Sequence, residues 1–245
     1  DITHMEQYLD FLRNRMFRCS LLCHAEANPE RTVQHERLLD CFVAAPLTPE
    51  RGGDFEVAEA AAFVHPTESR ITVTPPLQQA ALWLLGRDWP RQYTLDALAV
   101  EARERIGGET SDDDRAEVAD IVLEALAGDL VEVRLSAQRF CVDVSERPLG
   151  CPLAQLMARD GYHVTNRRHE TVVLTSIARQ TLLLLDGQRD HAAIATALCA
   201  LVADGEMTIT RGDRAIAETA EVAETVDEAL SQVLEDLGRR ALLID

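Results

Sequence analysis

The chain has 245 residues, 47% of them hydrophobic, which is enough to bury an ordinary core in one large domain or a few small ones. Forty-two acidic residues against 24 basic ones give a formal net charge of -18 at pH 7, a balance that repels phosphate backbones and anionic lipid heads. No apolar run approaches the roughly 20 residues needed to cross a bilayer, and six cysteines without a CxxC pair point to reduced thiols in a cytoplasm rather than to a disulfide scaffold.

The first element is FLRNRMFRCSLLCH, Phe11 to His24. Tyr8, Leu9, Phe11 and Leu12 fall at near-helical spacing, and Phe17 to Cys23 then reads as a short strand. Arg13, Asn14, Arg15, Phe17 and Arg18 make a cationic, aromatic knot in an acidic chain, a candidate docking surface. Cys19, Cys23 and His24 are spaced CxxxCH with no second pair at a zinc-finger interval, so buried thiols explain them better than a metal. From there to residue 74, brief apolar pieces (Leu39 to Ala45, Ala60 to Val64, Arg70 to Thr74) alternate with prolines and the Gly52-Gly53 pair. Residues 1–74 therefore read as a small mixed region with an antiparallel sheet.

At Pro75-Pro76 a helix begins, with Leu77, Ala81, Leu84 and Leu85 on one face and Gly86 marking its end. One hundred residues later TSIARQTLLLLDG repeats PPLQQAALWLLGR, and the correspondence continues through two further helices, the third ending in VLEALAG in one copy and VLEDLGRR in the other. Three helices followed by an apolar strand outline a winged-helix unit. Residues 75–145 form the first, with Leu130 to Leu135 and Arg139 to Val144 expected to pair as its wing. Residues 175–245 form the second, closed by Ala241 to Ile244. The stretch between, 146–174, reads as a connector. The fold class expected is α+β, a small mixed region followed by two winged-helix-like units.

Winged helices often place their third helix in a DNA groove. Here the corresponding stretch, Ser111 to Leu130, carries Asp112, Asp113, Asp114, Glu117, Asp120, Glu124 and Asp129 against the single Arg115 in the first copy. In the second it carries Glu218, Glu221, Glu224, Asp227, Glu228, Glu235 and Asp236. Contacts to phosphates need Lys and Arg, so nucleic acid is not the expected partner. His65, His163 and His191 stand near no serine or carboxylate at a spacing that spells a triad. The glycines permit neither GxGxxG nor GxxxxGK[ST], so no catalytic, metal or cofactor residue is assigned. The remaining cationic stretch is Asn166, Arg167, Arg168, His169 and Glu170, whose guanidinium groups suit an internal seam as well as an external site.

Two stretches carry a family resemblance. EQYLDFLRNRMFRCSLLCH (Glu6 to His24) resembles the start of the predicted regulatory domain of bacterial class I S-adenosylmethionine-dependent methyltransferases. ERPLGCPLAQLMARDGYHVTNRRHETVVL with ARQTLLLLDGQRD (Ala178 to Asp190) resembles the approach to the C-terminal winged helix of the same proteins. Relatives of that family include lysine methyltransferases acting on bacterial outer-membrane proteins. The resemblance implies a non-catalytic, substrate-presenting or regulatory region, excised from a longer protein whose S-adenosylmethionine sits in a catalytic domain upstream of Asp1. The partners it implies are that domain, a protein substrate and a second copy of the chain. A stand-alone acidic interaction module is the alternative, and a DNA-binding regulator a distant third.

Overall fold

In a computed structural model the described residues are 2–16, 23–27, 34–141, 143–211, 214–216 and 219–244. Two compact units are present, Asp1–Val33 and Gln34–Asp245. The first contains helix α1 (Ile2–Leu12) and a 3-10 turn at Ala25–Ala27. The strand expected over 17–23, with Phe17 and Arg18, lies largely outside the described residues.

The second unit opens with antiparallel strands, as the apolar pieces predict. Strands β2 (Thr48–Pro49), β3 (Ala61–Val64) and β4 (Arg70–Val73) form one sheet in that order, with Phe63 opposite Ile71. Strand β4 alternates exposed Arg70 and Thr72 with buried Ile71 and Val73, the period-2 pattern of a sheet with one wet face. Helices α2 (Pro76–Arg87), α3 (Leu95–Ile106) and α4 (Asp112–Ala127) follow. Their starts have local causes. Pro76 sits in the first turn of α2, Thr94 caps α3 through Ala97 N, and Ser111 and Asp114 form a reciprocal capping box on α4.

Gly86 does not end α2, which runs one residue further to Arg87. Its role is steric: a Cβ there would fall 1.8 Å from the Leu47 carbonyl oxygen, so only glycine lets the helix lie against that backbone.

The expected wing of the first copy does not form. Strand β6 (Glu132–Arg134) pairs instead with β1 (Phe42–Ala44), with Val43 opposite Val133, and β5 (Tyr93–Thr94) flanks β1 on its other side. A wing turned toward residues 139–144 would leave the edge of β1 open, and its Val43 and Ala44 are fully buried. Strands far upstream thus complete the unit.

Residues 146–174 are more than a tether: they supply helix α5 (Pro152–Asp160) and the hairpin β7 (His163–Thr165) and β8 (Thr171–Val173). Helices α6 (Ser176–Leu184), α7 (His191–Ala203) and α8 (Thr219–Arg239) complete the second copy, with a hairpin β9 (Ile209–Arg211) and β10 (Arg214–Ile216) before α8. Ala241 to Ile244 forms no full strand. It bridges to Leu149–Cys151, where Cys151 N donates to Leu242 O at 2.8 Å and Ile244 N to Leu149 O at 2.8 Å.

Apolar side chains gather in two clusters, one spanning 38–131 and the other 141–243. In the second, α8 buries Val222, Val226, Leu230, Leu234 and Leu237 along one stripe. Each such side chain contributes about 1.5–3 kcal/mol on leaving water. The opposite face, with Glu224, Asp227, Glu228 and Glu235, is exposed, as are Asp112, Asp113, Asp120 and Glu124 on α4. Most of the acidic charge of both third helices therefore faces solvent, Asp114 being the buried exception. Among the described residues, no helix is long and apolar enough to cross a membrane.

Candidate functional site

The NRRHE stretch is the tight turn between β7 and β8. Asn166 N donates to Glu170 O at 3.0 Å, and His169, at φ 64°, donates its N–H to Asn166 O at 3.1 Å. The buried Asn166 side chain organises the turn. Its Oδ1 accepts from the backbone N–H groups of Arg168 and Glu170, each at 2.9 Å. Its Nδ2 donates to Glu170 Oε2 at 2.8 Å and to Arg240 O at 3.0 Å. Each bond contributes about 1 kcal/mol, and leaving its buried partner unpaired costs more. Arg167 fastens the turn to the last residues of the chain, its N–H meeting Ala241 O at 3.0 Å and its Nη1 meeting Leu243 O at 3.2 Å.

Arg168 points the other way, toward Glu132 on β6 and Trp89 after α2. Its side chain is 1% exposed, ion-paired with Glu132 and 3.5 Å from Glu170 Oε1. The guanidinium lies over the Trp89 ring at 4.1 Å and the Phe140 ring at 5.2 Å. An arginine tolerates this because its flat, weakly hydrated cation stacks on aromatic faces while its edge pairs with carboxylates. A second tie runs nearby: Arg239 Nη2 donates to Gly86 O at 3.2 Å, at the end of α2. Asn166 is thus spent within the turn and on Arg240, Arg168 ties the turn to Glu132 and Trp89, and His169 and Glu170 stay exposed.

Arg13, Asn14 and Arg15 follow α1 in the other compact unit and are exposed, Arg15 lying 3.9 Å from Asp10. Tyr8, Phe11, Leu12 and Met16 are each more than 70% exposed, so the knot presents apolar as well as cationic surface.

One polar cluster was not foreseen. After α2, Arg87 grips Asp88 through two bonds of 2.5 and 2.7 Å, and the buried Tyr93 hydroxyl donates to Asp88 and lies 3.0 Å from Glu101 Oε2. Arg91 covers the Tyr93 ring at 4.4 Å and pairs with Glu101 at 2.9 Å. Burial and the two carboxylates push the Tyr93 hydroxyl far up, out of titrating range. Burial would raise Asp88, but the bonds from Arg87 and Tyr93 outweigh it and hold the carboxyl below its ordinary value. The only sequence signal was the density of charged and aromatic residues in RDWPRQY. Neither group is poised to exchange protons near neutral pH, so this cluster braces the α2–α3 junction.

Residues 146–242, which contain this turn and helices α5 to α8, match the family model described as PKMT, C-terminal winged helix domain. That stretch is similar to the C-terminal winged helix domain of PKMT proteins. The fold of the whole chain matches PKMT2 from Rickettsia typhi with a TM-score of 0.87 at 21% identity, covering 100% of this chain and 51% of that one. The same protein in complex with AdoHcy matches with a TM-score of 0.84 at 21% identity, covering 100% of this chain and 50% of that one. An uncharacterized protein of Rickettsia prowazekii is 22% identical over 252 residues, covering 100% of this chain and 45% of its own length. A second uncharacterized protein of that organism is 22% identical over 193 residues, covering 73% of this chain and 77% of its own length. The chain thus spans about half the length of PKMT2 and of the first Rickettsia prowazekii protein. Within residues 146–242 the NRRHE turn, through Arg168, and Arg239 on α8 both attach to the rest of the second unit.

Proposed function

We propose that this chain is the regulatory, substrate-presenting region of an S-adenosylmethionine-dependent protein methyltransferase, with catalysis performed by a further domain of a longer protein. The observation that carries the reading is the PKMT-type match over 146–242, joined to a likeness of fold that covers all of this chain and about half of PKMT2. The sheets support it. Doubly wound folds hold nucleotide-like ligands at the carboxyl ends of parallel strands, whereas every strand pairing among the described residues is antiparallel. That pairing is unlike the parallel arrangement of such sites, which supports a donor site in the further domain.

In this reading α1 and the residues after it dock on the catalytic domain. Exposed Tyr8, Phe11 and Leu12 supply apolar area, and Arg13 and Arg15 supply cations that pair with carboxylates across a seam. The acidic outer faces of α4 and α8 favour a basic protein substrate.

Equilibrium dialysis of this chain against radiolabelled S-adenosylmethionine tests the assignment. No saturable uptake is expected from the 245 residues, and saturable uptake would overturn it. Replacing Arg13, Arg15 and Arg18 together by Ala in this chain is expected to weaken its association with the separately expressed catalytic domain about tenfold or more, with the melting temperature of this chain unchanged.

A further inference from the structure

Between β2 and β3 the chain makes an excursion, ERGGDFEVAEA over residues 50–60, that is pinned at two points. The Phe55 ring packs on Trp83 with centroids 5.6 Å apart. Ala58 is held at both backbone groups by the fully buried Gln79, its N–H donating to Oε1 at 3.0 Å and its carbonyl accepting from Nε2 at 2.8 Å. Nε2 also reaches Thr74 O at 2.8 Å. A loop fixed this way does not collapse onto the sheet, and it leaves a cavity of about 450 Å³ with Phe63, Gln79 and Trp83 among its lining residues.

The lining restricts what can enter. Gln79 has spent its amide on the backbone, so what the wall offers is aromatic surface and carboxylates. Glu50 is held by Arg70 at 2.5 Å, which leaves exposed Asp54, Glu56 and Glu59 against Arg51, the one cation among the described lining residues. An anion would be repelled, and a neutral apolar guest would strip water from the acids without return. A cation on an aliphatic stem satisfies both surfaces, its methylenes on the rings and its charge at the acidic rim. The ring pair already attracts cations from outside the cavity: Arg105 lies 4.7 Å from the Trp83 centroid and 6.0 Å from that of Phe55, and Arg87 lies 4.9 Å from Trp83.

We infer that this cavity receives a lysine or arginine side chain from a basic segment of a partner protein. The inference stands on the cavity alone, and its failure would leave the methyltransferase reading intact.

The test is an NMR titration of the 15N-labelled chain, followed at its two tryptophan indoles, with a capped pentapeptide bearing one central lysine. The Trp83 indole is expected to shift saturably while that of Trp89, held against Arg168, stays in place. The norleucine-centred peptide is expected to shift neither. The double variant Glu56→Gln, Glu59→Gln is expected to weaken binding about tenfold, whereas Asp113→Asn, Glu124→Gln on α4 changes it less than about twofold. Arg105→Gln, which removes a competing cation, tightens binding by about two- to threefold. An unchanged Trp89 resonance certifies that each variant is folded. A silent Trp83 indole, an equal response to norleucine, or equal loss from the two acidic pairs would overturn the proposal.

Discussion

The two three-helix units share a helix order and differ in where they find support. The first, α2 to α4, takes the central strand of its sheet from upstream, since β1 lies between β5 and β6, and its helices are clipped by polar groups such as Ser111, Gln79 and Asp88. The second, α6 to α8, rests on the long apolar stripe of α8 and on backbone bonds between Leu149–Cys151 and the last residues. A repeat in sequence therefore fixes the helices without fixing what covers them. The same three-helix unit is closed by strands in one copy and by α5 and a hairpin in the other.

Because of that difference, damage should remain local on either side and spread only through the joint. The largest effect is expected for Gly86→Ala. The new methyl carbon would fall inside the Leu47 carbonyl, an overlap that only a backbone shift relieves, so a loss of about 3 kcal/mol or more is expected in chemical denaturation. Hydrogen exchange should rise across α2 to α4 before it rises in α8.

Next comes the joint itself. Arg168→Ala removes the cation between Trp89 and Phe140 and should cost about 2–4 kcal/mol, with exchange rising in both units. Arg168→Met keeps most of the packing, and Glu132 is exposed enough to be rehydrated, so it should lose about half as much. Equal losses from the two variants would show that charge rather than packing holds the joint.

The smallest effect concerns the caps. Ser111→Ala should cost about 1 kcal/mol and be felt in α4 alone. The same corner sets an acid limit. Arg103 and the Ser111 backbone hold the Asp114 carboxyl at about 2, below its ordinary 3.8. A depressed carboxylate contributes fully above its unfolded value and loses that contribution as pH falls through the folded one. Stability should therefore fall between about pH 4 and pH 2, and Asp114→Asn should flatten that part of the profile.

Much of this architecture was legible in the residues. Pro76 announced the start of α2, and the hundred-residue offset revealed the duplicated helices, because first-turn proline and periodicity are local signals. Strand partners were not legible. Nothing within 130–144 says that Val133 should meet Val43, a choice made by burial across the whole unit. The cationic turn was visible as charge, but only burial reveals that Arg168 lies inside and His169 outside. The cavity beside Trp83 escaped notice because its parts, GGDFEVAEA and a helix begun at Pro76, are separated in sequence and carry no spacing that names a ligand.

The way Arg168 is enclosed has a bearing on ionic strength. Exposed pairs such as Arg115 with Asp96 and Arg240 with Asp236 fade as dissolved ions crowd around them. A guanidinium sealed between two rings is beyond the reach of those ions. In strong brine the molecule should loosen at its rim while the union of its halves holds, so its bending stiffness should scarcely depend on the electrolyte around it.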